Sequence, residues 1–229
     1  MKIVSIPCRR ENYGGLRAGT VEYLVVHYTA VPNDTAENEG AYFAREQVGA
    51  SAHYFVDEKT IVSSVPEEYA AWHCGAASYR HDRCRNSNSI GVEICTKGTH
   101  GDYRFHPQAL ERARQLLRKL MERYQIPAER VLRHYDVTGK LCPAPFVGQG
   151  QAAWEEFKEG LTVYQTLEQL PAWARPTAEK LVQQGILQGT GEGLDLTQDM
   201  IRILVMLDRA AVFGKEQTNG NETQQRGSD

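Results

Sequence analysis

The stretch VEYLVVHYT, Val21 to Thr29, decides the fold. It is apolar and rich in β-branched and aromatic residues, which is how a strand reads. His27 sits near its end, where the chain leaves the apolar run for the polar turn around Pro32–Asp34. Four further runs of the same type flank it: KIVSI (2–6), HYFVD (53–57), IVSSV (61–65) and SIGVEI (89–94). Between the first two strands after Val21 lies TAENEGAYFAREQVG (35–49), compatible with a helix over one sheet face. Pro107–Tyr124 is the clearest helix. Leu110, Ala113, Leu117, Leu120 and Tyr124 share a face at 3.6-residue spacing, and Pro107 sits where a first-turn proline is tolerated. IPAERVLRH (126–134) reads as a loop into a last strand. Strands interleaved with helices predict an α/β class with a central sheet flanked by helices.

Composition bounds the rest. The chain has 229 residues, enough for one well-buried domain plus a small appendage. Its formal net charge of −3 argues against nucleic-acid binding, which usually needs a basic face. No apolar run approaches the roughly 18 residues of a membrane span, so no membrane anchor is expected. The start lacks the apolar region and cleavage site of a secretory signal, which predicts a protein made in the cytoplasm. Five scattered cysteines (8, 74, 84, 95, 142) do not resemble a disulfide framework in such a chain. Reduced thiols, with at most one bound to a metal, are expected.

After Pro145 the character changes. VGQGQAAWEEFKEGL (147–161) closes the first domain, taken as residues 1–160, with one more helix. A small helical module follows at 165–213, in which Pro171–Gln184 is amphipathic and Thr197 caps a helix running to about Val212. Residues 214–229 are polar and glycine-rich, the composition of a disordered tail.

LRHYDVTGKLCPAP (132–145) raises a metal question, because His134 and Cys142 are two of the ligand types a catalytic zinc takes with one position left for water. His27, at the edge where open α/β sheets build sites, is the best third. Each has a bland alternative: a satisfied strand-end histidine for either imidazole, a small buried hydrophobe for the thiol. A rival cluster, HCGAASYRHDRC (73–84), has metal-binding residue types at a spacing that fits no common zinc finger. It reads better as a loop facing a ligand. Glu93 shares a strand face with Gly91, opposite Ile90 and Val92. A carboxylate there is either functional or on a solvated face. Lys140 lies near Cys142 by chain geometry, or is an ordinary surface lysine.

The segments LVVHYTA, SAHYFVD, AAWHCG, NSIGVE and RHYDVTGKLCPAP, in this order and spacing, resemble the zinc-dependent N-acetylmuramoyl-L-alanine amidases, which include phage lysozyme-type amidases and peptidoglycan recognition proteins. The resemblance covers roughly residues 1–160 and implies the amidase fold, a central mixed sheet flanked by helices. It implies Zn2+ held by His27, His134 and Cys142, Glu93 as the proton-transferring carboxylate, and Lys140 as the oxyanion stabiliser. Trp72, His73 and Asn86 are then expected as groove residues for sugar or stem peptide, with a buried aromatic as the alternative for Trp72. One departure is Ala52, which stands where phage-type members often carry a tyrosine, so no role for that tyrosine transfers. The implied substrate is peptidoglycan and the implied role a phage or prophage endolysin acting on the wall after release. A host autolysin or sporulation amidase, and a non-catalytic recognition module, are the alternatives. The C-terminal module more weakly resembles terminal modules of prophage amidases, implying wall targeting. Dimerisation through it is the alternative, and six basic against nine acidic residues from Gln165 onward give no ionic grip on anionic polymers.

Overall fold

The computed structural model describes residues 2–191 and 193–214. In chain order its elements are β1 (Ile3–Ser5), β2 (Tyr13–Leu16), β3 (Tyr23–Tyr28), α1 (Ala36–Arg45), β4 (Tyr54–Val56), β5 (Ile61–Ser63), β6 (Tyr69–Ala71), β7 (Ser89–Ile94), β8 (Thr96–Thr99), β9 (Asp102–Phe105), α2 (Pro107–Tyr124), β10 (Val131–Arg133), α3 (His134–Thr138), α4 (Gln151–Glu159), β11 (Val163–Tyr164), α5 (Arg175–Gln183), β12 (Leu196–Thr197) and α6 (Gln198–Arg209). The chain divides into two compact units after Thr162.

The first unit is built on a six-stranded sheet in the order β1-β5-β4-β7-β3-β10. All neighbours run parallel except β4 and β5. The mixed sheet flanked by helices expected from the sequence is therefore present. The antiparallel pair follows from a tight turn at Asp57, whose Oδ1 accepts from the backbone N–H groups of Lys59 (2.7 Å) and Thr60 (2.6 Å). Its other oxygen accepts from Ala36 N at 2.9 Å, so the same carboxylate that folds the hairpin also caps α1.

Alternation along the strands separates two faces. Leu24 and Val26 of β3, Ile90 and Val92 of β7, and Tyr54 and Val56 of β4 form one buried layer with Ala109, Ala113, Leu116, Leu117 and Leu120 of α2. Burying each larger side chain contributes about 2 kcal/mol. Phe146, Trp154 and Phe157 close that layer, with Phe146 5.5 Å from the Trp154 ring and 5.2 Å from Phe157. The other face carries His27 of β3 and Ser89, Gly91 and Glu93 of β7. It is the face of the site.

Two pairings were not legible in the sequence. β2 pairs with β6 and β8 with β9, both antiparallel. YGGL is half glycine and TKGT carries no apolar side chain, so neither reads like the other strands.

In the second unit, Leu170, Ala174, Ala178, Leu196, Ile201 and Val205 form a small core. Lys180 Nζ and Thr177 Oγ1 donate to the Asp208 carboxylate at 2.7 and 3.0 Å, tying α5 to α6. Thr197 caps α6, its hydroxyl accepting from Met200 N. α5 starts at Arg175 rather than Pro171, because Pro171–Ala174 form a turn in which Ala174 N donates to Pro171 O. α6 stops at Arg209 rather than Val212, just before Ala211 takes a positive φ of 57°. Apart from Gly214, the expected tail lies outside the described residues. No helix among the described residues is long and apolar enough to cross a membrane.

Candidate metal centre

Parallel pairing brings the histidines together. β10 lies beside β3 with Arg133 opposite Val26, so His134, the next residue, emerges level with His27. Their ring centroids are 4.7 Å apart. Cys142 arrives by a short loop. α3 ends at Gly139, whose φ of +86° suits glycine, and Gly139 N donates to Tyr135 O at 2.8 Å. The chain then folds back until Tyr135 N donates to Cys142 O at 2.8 Å. That contact is why eight residues of separation place a thiol beside His134. Arg133 braces the same turn, donating through Nη2 to Asp136 Oδ1 at 2.7 Å and through Nη1 to Phe146 O at 2.6 Å.

The potential ligand atoms of His27, His134 and Cys142 all lie within 4.8 Å of one another, and all three residues are buried. Cys142 Sγ is 3.6 Å from His27 Nδ1. His134 Nδ1 is buried with no hydrogen-bond partner. An orphaned buried nitrogen is costly unless something outside the protein uses its lone pair. Burial, then the neighbouring His73 and His134, hold His27 well below the ordinary imidazole pKa. Burial and then Lys140 bring His134 down to about 4. Both imidazoles are thus neutral, the form that binds a metal. Burial and then Glu93 push the Cys142 thiol up, and a divalent cation would draw that proton off. Two neutral imidazoles, one thiol and an unsatisfied nitrogen fit a divalent metal ion. Among the described residues this is the one such group.

Glu93 sits opposite His27 in the β3–β7 register, with Oε1 3.9 Å from His27 Nδ1. Its Oε2 is buried without a partner. Burial raises its pKa to about 8, with Lys140 pulling the other way. Lys140 is exposed at the rim and, with Trp72, His73 and His134, lines both a cavity of about 270 Å3 over His27, His134 and Cys142 and one of about 640 Å3. The larger cavity is floored by Gly75, Ala76, Ala77 and Ser78, where backbone rather than bulky side chains is presented. Trp72 is 40% exposed there. Asn86 lines it too, but its Oδ1 is engaged by His73 N (3.1 Å) and Cys74 N (2.8 Å). His73 is buried, and its ring turns inward to His27 and Ser89.

The rival run His73–Cys84 holds no metal cluster among the described residues. His81 Nδ1 accepts from Arg83 N and Cys84 N, while Cys74 and Cys84 pack with Tyr23, Val25 and Val137. None of the five cysteines forms a disulfide. Two site neighbours escaped the sequence reading. Ser89 stands in the quoted NSIGVE segment, but nothing there assigns it a role. Glu39 of α1 lines the smaller cavity, its pKa pushed to about 9 by burial and by Asp34. In the sequence Glu39 is one of several acids in ENEG, indistinguishable from a solvated helix face.

Residues 17–145, more than half the chain, match the family described as N-acetylmuramoyl-L-alanine amidase. The N-acetylmuramoyl-L-alanine amidase CwlL of Bacillus licheniformis is 37% identical over 148 residues, 58% of this chain and 39% of that one. BlyA of Bacillus subtilis (strain 168), of the same description, is 35% identical over 159 residues, 64% of this chain and 42% of that one. The chain thus matches about two fifths of the length of these curated relatives. Among solved structures, PlyL superposes with a TM-score of 0.58 at 30% identity, covering 71% of this chain and 98% of that one. The catalytic domain of XlyA does so with a TM-score of 0.58 at 26% identity, covering 71% and 100%. By sequence over more than half of its length, and in keeping with its fold, the chain belongs to the N-acetylmuramoyl-L-alanine amidase family.

Proposed function

We propose that the protein is a zinc-dependent peptidoglycan hydrolase that cleaves the amide between the lactyl carbonyl of N-acetylmuramic acid and L-alanine of the stem peptide. The observation that carries the reading is the convergence of His27, His134 and Cys142 within 4.8 Å, with Glu93 beside them. Two imidazoles and one thiolate, leaving a fourth position open, are the donor set of a catalytic rather than a structural zinc. When bound, zinc lowers the pKa of water toward ~7 and polarises a carbonyl, the two things amide hydrolysis lacks in plain water.

The protein's own groups supply the rest. His27 and His134 offer neutral nitrogens, and Cys142 gives up its thiol proton on loading. Glu93 takes the proton of the attacking water and passes it to the departing alanine nitrogen. Lys140, at the mouth of the same cavity, donates to the oxyanion of the tetrahedral intermediate, an interaction worth roughly 3 kcal/mol. Trp72 offers an exposed indole face to sugar or stem peptide, and Asn86 shapes the groove by holding the 73–74 backbone.

Similarity to a solved chain described as a mutant endolysin from Bacillus subtilis supports a lytic role on the wall after release from the cytoplasm (26% identity, TM-score 0.58). A host autolysin of the same chemistry is the second reading, since several similar amidases are from Bacillus subtilis. We assign wall attachment to the second unit. Exposed Trp173 and the apolar row Met200, Ile203 and Met206 on α6 support a contact role, with self-association as the alternative. The test is release of free alanine amino groups from purified peptidoglycan by the full chain, with chelator and with zinc restored. Chelator-sensitive release supports the reading. Binding to the wall without new amines would make the protein a recognition module instead.

A further inference from the structure

His73 lines both cavities, yet both of its ring nitrogens are spent on protein partners, and these hydrogen bonds have a direction that can be read. Ser89 Oγ lies 2.6 Å from the carbonyl oxygen of Arg85. A carbonyl can only accept, so the serine proton points at it. Ser89 Oγ must then accept from its other partner, His73 Nε2, at 3.1 Å. With its proton on Nε2, the His73 ring presents a bare Nδ1. That atom lies 3.0 Å from His27 Nε2, which therefore carries the His27 proton. The last atom in the line, His27 Nδ1, is left bare and faces Cys142 Sγ and Glu93. A ring held the other way round would put its proton on the nitrogen that must meet the metal.

The packing leaves His73 little freedom to do otherwise. A Cβ on Gly91 would stand 2.5 Å from His73 Cγ, so the ring lies directly on the β7 backbone. Its own backbone is held by Asn86 Oδ1. The residue is buried, so the contact with His27 is made in dry surroundings, where hydrogen bonds orient strongly.

We infer that His73 is a positioning residue: together with Ser89 and the Arg85 carbonyl it locks His27 in the tautomer whose Nδ1 is free to hold the metal. This rests on the proposal that His27, His134 and Cys142 bind zinc. Outer partners of ligating histidines typically govern metal affinity by about 10- to 100-fold.

The experiment measures zinc affinity of the full chain by competition with a chromophoric chelator, without substrate. The variants are His73→Phe, His73→Asn and Ser89→Ala, each with ring-nitrogen NMR of the zinc-loaded protein. His73→Phe should bind zinc about 10- to 100-fold more weakly than the parent. His73→Asn, whose side-chain oxygen can stand where Nδ1 stood, should recover most of the loss. Ser89→Ala should fall in between, and the parent spectrum should place the His27 proton on Nε2. If His73→Phe does not fold, the asparagine and Ser89 variants with the NMR assignment decide alone. Unchanged zinc affinity in His73→Phe, or in Ser89→Ala where that variant stands alone, overturns the inference. So does a His27 proton on Nδ1 in the zinc-loaded parent. A parent chain that binds no zinc would instead sink the metal reading itself, a result distinguishable from all of these.

Discussion

Cys142 Sγ stands 3.6 Å from His27 Nδ1, across 115 residues of chain. The contact joins two independent pieces of folding: the parallel β3–β10 pairing that delivers His134 beside His27, and the fold-back after Gly139 that returns the thiol to them. Replacing Cys142 by serine keeps the shape and removes the soft donor proposed to hold zinc. Cys142→Ser should retain the fold but lose most bound zinc and nearly all activity, checked by elemental analysis alongside turbidity loss of cell walls. Full zinc occupancy in that variant would exclude the thiol as a ligand.

The proposed mechanism puts Glu93 on the proton path and outside the ligand set. Glu93→Gln should bind zinc like the parent while kcat falls about 100-fold or more, the usual worth of a general acid–base group. Parent-like lysis by this variant would remove Glu93 from the mechanism.

The same residue has a pH signature in the metal-free protein. Its carboxyl pKa is raised to about 8 by burial, above the ordinary value of 4.5. A carboxyl raised in the folded state favours folding while protonated, and that contribution is lost as pH rises through the folded value. Metal-free parent and Glu93→Gln should therefore melt alike near pH 4. By pH 9 the variant should be the more stable, by a few kcal/mol at most once partial exposure is allowed for. Identical melting at both pH values would mean that Glu93 is solvated.

Gly91→Ala tests the close approach under His73. A methyl 2.5 Å from the His73 ring carbon forces the ring or the β7 backbone to move. We expect a destabilisation of about 1–3 kcal/mol, as for an overpacked core, and weaker metal binding, measured by denaturant melts and zinc titration. A neutral outcome would show that the ring is free to shift.

Arg133 and Asp136 hold the ligand turn from behind, in a pair whose arginine side chain is 8% exposed. Asp136→Ala leaves that buried guanidinium uncompensated and should cost roughly 3 kcal/mol. Chemical denaturation checks it. A change below about 0.5 kcal/mol would place the pair among surface ion pairs.

Much of this was legible in the sequence for a physical reason. The apolar, β-branched runs at 21–29 and 89–94 mark the core strands, and alternation in SIGVEI puts Glu93 and Gly91 on one face, as found. Pro107–Tyr124 shows its helix by periodicity alone. The small separate sheets β2–β6 and β8–β9 were not legible, since their short strands lack the apolar runs that mark the core strands, and β2 meets its partner more than fifty residues away. His73 was read as a groove residue and lines both cavities, but AAWHCG does not say which way its ring nitrogens point. That direction depends on Gly91, eighteen positions on and in another strand. Ser89 and Glu39 were invisible for the same reason, being ordinary residues given meaning by their surroundings.

The most direct measurement is an anomalous difference map collected at the zinc absorption edge on crystals of the zinc-loaded chain. The account predicts a single strong peak bounded by His27 Nδ1, His134 Nδ1 and Cys142 Sγ, with Glu93 beside it and unligated. A peak among Cys74, His81 and Cys84 instead, or none between the three ligands at full zinc loading, would contradict it.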